Sequence, residues 1–95
     1  MSTKTKILKA GIKLWKKNPD LVTALGISKA VNPPMVHATI LYHFPKDSIK
    51  DAVAAYAVET GESGIIAQLI LIEHPAVKNL SVEERQRHFA AATAV

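Results

Sequence analysis

Prolines at positions 19, 33, 34, 45 and 75 punctuate this chain of 95 residues. Proline breaks a helix interior and pushes the residue before it out of helical geometry, so each one marks a helix end or a helix start. Between them the apolar residues recur at helical spacing, and no segment reads convincingly as a strand. The apolar cluster from Leu21 to Ile27 resembles a strand at first sight. Asp20 ahead of it and the spacing of Leu21, Leu25 and Ser28 favour a helix. The expectation is an all-α chain, a small bundle of short helices.

The first helix is predicted over 3–17. Ile7, Leu8, Gly11, Leu14 and Trp15 share one arc, and Lys6, Lys9, Lys13, Lys16 and Lys17 share the opposite one. Lys16 and Lys17 also suit the negative end of the helix dipole, and Asn18-Pro19 stops the helix. Asp20 is expected to cap a second helix over 21–31, which contains Gly26. Asn32 as N-cap and Pro33 at the first helical position predict a third helix over 33–43. Pro45 breaks the chain, and Asp47 is expected to cap a fourth helix holding Ile49, Ala52, Val53 and Tyr56. Thr60-Gly61-Glu62-Ser63-Gly64 predicts a kink or short loop. A fifth helix is expected over 65–73, ended by Pro75. Ser81-Val82-Glu83-Glu84 is a capping-box pattern that opens a last helix toward Val95.

Charge is unevenly distributed. Residues 1–50 hold nine lysines against Asp20 and Asp47, which is +7; residues 51–95 hold Lys78, Arg85 and Arg87 against six acidic residues, which is −3. The sum is the net +4 of the chain. Such a split points the first half at a polyanion; the plainer alternative is a solvated lysine face that keeps the protein soluble. There is no cysteine, so disulfides and thiolate metal sites are excluded. The longest apolar run, residues 65–72, is too short to span a bilayer and contains Gln68. Met1-Ser2-Thr3-Lys4 is polar with no apolar signal region behind it. A soluble, cytoplasmic protein is expected.

The chemistry-bearing stretch is Leu41-Tyr42-His43-Phe44-Pro45-Lys46, preceded by Met35-Val36-His37-Ala38-Thr39-Ile40. Helices two and three suit a helix-turn-helix, in which one face of the second helix is pinned to the core and the other enters a DNA groove. Val36, Ile40 or Leu41, and Phe44 supply the core face; His37, Ala38, Thr39 and Tyr42 lie toward the other side, with His43 at the end. Ala38 permits close backbone approach and a methyl contact to thymine.

On these residues the chain resembles the DNA-binding domain of TetR-type transcriptional repressors. Residues 7–15 look like that family's first helix, with an Ile-Leu pair followed by a Leu-aromatic pair. Residues 36–44 look like its recognition segment, which ends in an aromatic-histidine run before a lysine-bearing helix start. Met35 stands where that family has a small turn glycine. The resemblance covers roughly residues 5–56. It implies phosphate contacts from Tyr42, His43 and Lys46, with Ser28 and Lys29 adding to them from helix two, and base reading by His37, Ala38 and Thr39.

The family's large ligand-binding domain has no counterpart in residues 57–95, too few to enclose a drug-sized pocket as well as a core. No small-molecule inducer is therefore expected. Residues 1–60 are read as the helix-turn-helix region and residues 61–95 as a helical dimerisation tail, within one compact domain. Ile65, Ile66, Leu69, Ile70 and Ile72 cover more than one face of the fifth helix, so they are assigned to a homodimer interface; the alternative is a thickly buried central helix. His37, His43, His74 and His88 lack i, i+3 or i, i+4 pairing, so no metal or other cofactor is expected and the histidines read as surface or phosphate-contacting. No base–nucleophile pair is legible, and the chain is not read as an enzyme. The expected function is sequence-specific binding of double-stranded DNA, as a small dimeric transcriptional regulator. The alternatives are marking a DNA site for replication, partition or packaging of a mobile element, or a protein-interaction module or small inhibitor docking through helix 65–73.

Overall fold

The computed structural model describes residues 2–45 and 48–93. Among them are six α-helices, two 3₁₀ turns and no strand, so the chain is all-α as expected. None of the described helices is long and apolar enough to cross a membrane. The chain groups into two units, residues 1–53 and 54–95, with the division inside the fourth helix.

In the first unit, α1 runs Thr3–Lys17. Ser2 Oγ accepts the Thr5 N–H at 3.1 Å, and the Asn18 N–H closes the helix on the Leu14 carbonyl at 2.9 Å. Ile7, Ala10, Gly11, Ile12 and Trp15 are buried, while Lys6, Lys9, Lys13, Lys16 and Lys17 are exposed. The buried arc is wider than the Ile7–Trp15 stripe: it takes in Ala10 and Ile12 and leaves Leu8 and Leu14 half-buried.

The second helix starts later than the sequence implies. Asn18 Oδ1 accepts the Asp20 N–H at 2.9 Å, and Pro19–Leu21 form a 3₁₀ turn. Asp20 is thus inside a turn, and Thr23 caps α2 (Ala24–Ala30), its Oγ1 accepting the Gly26 N–H at 3.0 Å. Gly26 is required by close approach. A Cβ there would lie 2.3 Å from the Leu21 carbonyl oxygen.

The third helix also departs from expectation. α3 spans His37–His43, with Val36 as N-cap and no side-chain capping bond. Asn32 is not its cap: the helix starts at His37, and the chain ahead of it is extended at Val31 and Val36. The reason lies in the sequence. Pro34 disfavours helical geometry at the residue before it, so Pro33 cannot serve as a first helical residue. The Met35 N–H ties this connection back to the Ser28 carbonyl at 3.2 Å. α1 packs on α2 and α2 on α3, around Ile7, Ile27 and Ile40, each without solvent exposure. α4 is Ile49–Thr60; the expected cap, Asp47, lies outside the described residues. Val53, on its first turns, closes over Gly11, where a Cβ would sit 2.5 Å from Val53 Cγ2.

In the second unit, Gly61 takes a left-handed φ of 75°, and the Glu62 N–H bonds the Ala57 carbonyl at 2.9 Å. This ends α4 in the manner of a glycine C-cap. α5 follows at once as Ser63–Leu71, two residues ahead of the predicted start. Beyond it, His74 Nδ1 accepts the Ala76 N–H at 3.0 Å and opens a 3₁₀ turn over Pro75–Val77. The capping box is formed: Glu84 N–H donates to Ser81 Oγ, and Ser81 N–H donates to Glu84 Oε1, each at 3.1 Å. α6 (Val82–Thr93) packs along α5. Arg85 fastens its start, donating to the Leu80 carbonyl at 3.2 Å and the Val77 carbonyl at 2.8 Å.

α5 is more interior than its assignment to a dimer interface implies. Ile65, Ile66 and Leu69 are 2%, 0% and 0% exposed within the chain itself, and Ile70 is half-buried. The large apolar side chains exposed among the described residues of this unit are Leu71, Ile72 and Val82.

Candidate nucleic-acid interface

α3 sorts its side chains sharply. Ile40 is fully buried and Phe44 nearly so, which pins one face to the core. His37 and Ala38 are exposed, and Thr39 and His43 are half-buried. Tyr42 is 83% exposed. A tyrosine ring is amphipathic and gains from burial of its body, so a core role for Tyr42 is excluded by its position. Its ring meets His43 edge-on, with centroids 5.2 Å apart and planes at 83°. His37, Ala38, Thr39, Tyr42 and His43 therefore share one short helix, whose seven residues span about 10 Å at 1.5 Å per residue.

The remaining predicted contacts fall elsewhere. Ser28 is 7% exposed, and its hydroxyl donates to the Leu25 carbonyl at 2.7 Å. With that proton committed and the side chain buried, Ser28 is not at a surface where a phosphate passes. Lys29 is exposed and lines a groove with Leu14, Asp20 and Leu25 on the α1–α2 side. Lys46 lies outside the described residues. His74 and His88 have structural bonds, His74 locally as the cap of a 3₁₀ turn and His88 from α6 to α5 through Nδ1 to Ser63 Oγ at 2.9 Å.

Two residues join His37 that sequence reasoning passed over. Thr23, from the start of α2, and Lys50, from the start of α4, line one cavity of about 490 Å³ with His37 and Leu41 of α3. The sequence signal for Thr23 was available: a threonine three residues before Gly26 is a good N-cap. Lys50 is exposed, with its ammonium 5.7 Å from the Trp15 ring centroid. At the other end of α3, Lys4 lies 6.0 Å from the Phe44 ring. Each ammonium lies over an aromatic face at cation–π distance.

Among the described residues no three His, Asp or Glu side chains converge to hold a metal ion. No protein-family model, curated protein or solved structure matches this chain. The reading of the α3 surface therefore rests on its geometry and residue types.

Proposed function

We propose that this protein binds double-stranded DNA sequence-specifically, with α3 entering the major groove, and that it acts as a small dimeric transcriptional regulator. The observation that carries the reading is the placement of Tyr42: almost fully exposed, on a helix whose opposite side is locked into the core through Ile40 and Phe44. A rigid short helix with small and polar groups outward is what groove entry requires. His37, Ala38 and Thr39 read base edges, Tyr42 and His43 hold phosphate oxygens, and the exposed lysines of the first unit supply long-range attraction. The connection of six residues, Val31–Val36, is longer than the roughly 3–4 residues of a tight helix-turn-helix. The bond from Met35 to Ser28 compensates by holding it against α2.

The exposed Leu71, Ile72 and Val82 favour a second reading for the other unit, in which this end of α5 and α6 docks a protein partner. Tyr42→Ala separates the two readings. Under the DNA reading it lowers affinity for duplex DNA at least tenfold, with thermal unfolding unchanged, because the side chain is outside the core. Unchanged DNA affinity would remove Tyr42 from the interface and move the function to the apolar end of the second unit.

A further inference from the structure

We propose that the cavity between α2, α3 and the start of α4 is a binding site for a small amphipathic monoanion, an aromatic or medium-chain carboxylate. Its volume of about 490 Å³ lies within the range of small-molecule sites, roughly 300–1,000 Å³. Its floor is hydrocarbon: Val22, Ala24, Phe44 and Ile49 are buried, and Leu41 is half-buried. Its rim is different. His37, Lys50 and Thr23 are exposed there: an imidazole and a hydroxyl at one mouth, and beside them a lysine whose ammonium rests 5.7 Å from the Trp15 ring centroid. Thr23 Oγ1 accepts the Gly26 N–H, so its own proton is left to donate. None of the described lining residues is acidic. An apolar body with one carboxylate matches both parts: the body displaces water from the floor, and the carboxylate meets donors at the rim.

The site opens in the first unit, beside His37, a proposed base reader. An occupant held by His37 and Lys50 would compete with DNA for the same helix. That consequence rests on the DNA reading; the binding itself does not.

The test is titration of the full chain with 1-naphthoate, followed by ¹H–¹⁵N amide shifts. Saturable shifts centred on Ala24, Leu41 and Ile49 are expected, with a change in the fluorescence of Trp15, the one tryptophan, as Lys50 turns toward the ligand. Lys50→Gln should weaken binding about tenfold, as should replacing naphthoate by neutral 1-naphthalenemethanol, and inorganic phosphate should not displace the ligand. Shifts that are non-saturable or centred elsewhere would overturn the site, as would equal binding of the neutral alcohol or displacement by inorganic phosphate. A second arm adds 1-naphthoate to a preformed complex with duplex DNA. Release supports competition at α3. Retention with the ligand bound removes the regulatory consequence and leaves the site intact. A chain that binds naphthoate and no DNA overturns the DNA reading alone.

Discussion

Gly26 shows how one residue decides a local structure against its own propensity. Alanine is the better helix former by about 1 kcal/mol, so Gly26→Ala would stabilise α2 if propensity were all. The added Cβ would instead lie 2.3 Å from the Leu21 carbonyl oxygen, and a backbone atom cannot move aside as a side-chain tip can. Overpacking of this kind costs about 1–3 kcal/mol. Net of the propensity gain, Gly26→Ala is therefore expected to destabilise the protein by up to about 2 kcal/mol in urea unfolding; a gain in stability would show that the 3₁₀ turn relaxes freely. From the sequence alone this glycine only weakens the case for a helix, because its reason is a contact with a turn that starts at Pro19. Tyr42 and Phe44 are the opposite case. Two aromatics two residues apart on a helix face different ways, and the buried Phe44 is where its spacing from Ile40 puts it.

The elements were unequally legible. α1 is found at the limits its stripe and stop signal predict, Thr3–Lys17, because period and breaker agree. The capping box at Ser81 and Glu84 forms as written. It also makes α6 sensitive to acid. The Ser81 backbone N–H and then its hydroxyl favour the ionised carboxylate, so Glu84 titrates below its ordinary value near 4.5. A carboxyl whose folded value is depressed stabilises the fold above the unfolded value, and that contribution is lost as pH falls through the folded one. α6 should therefore fray at its first turn below about pH 4.5, and Glu84→Gln should flatten this pH dependence. Amide exchange at Glu84 and Arg85 reads it directly; protection independent of pH in this range would contradict the account. Where elements were misread, two signals competed. Asn32-Pro33 is a good helix start, but Pro34 cancels it and delays α3 to His37. Asp20 is a good cap, but Asn18 caps a 3₁₀ turn that takes Asp20 inside it, and Thr23 caps α2 instead. Thr23 and Lys50 come together with His37 only through packing of α2, α3 and α4, which no single-segment pattern encodes.

At the scale of the whole molecule, α3 has seven residues; under the proposed DNA reading so short a helix reads only a few base pairs, and site specificity needs two copies. A symmetric dimer presents two such helices to successive major grooves. Ile65, Ile66 and Leu69 are buried, so the proposed dimer would form through Leu71, Ile72 and Val82, which are 73%, 68% and 70% exposed. The double variant Leu71→Asp, Ile72→Asp should weaken dimerisation at least tenfold in sedimentation equilibrium. Helicity should be preserved, since neither side chain belongs to the core; an unchanged dimer would place the interface elsewhere. If each copy neutralises about four phosphates, log affinity should fall with log salt at a slope near −7. The central claim is sequence-specific reading by α3, and selection of bound duplexes from a random DNA pool at about 0.15 M salt tests it most directly. The account predicts a palindromic motif with half-sites about one helical turn apart, lost in Tyr42→Ala. Recovery of no motif, with binding that simply vanishes as salt rises, would contradict it and leave a non-specific basic face.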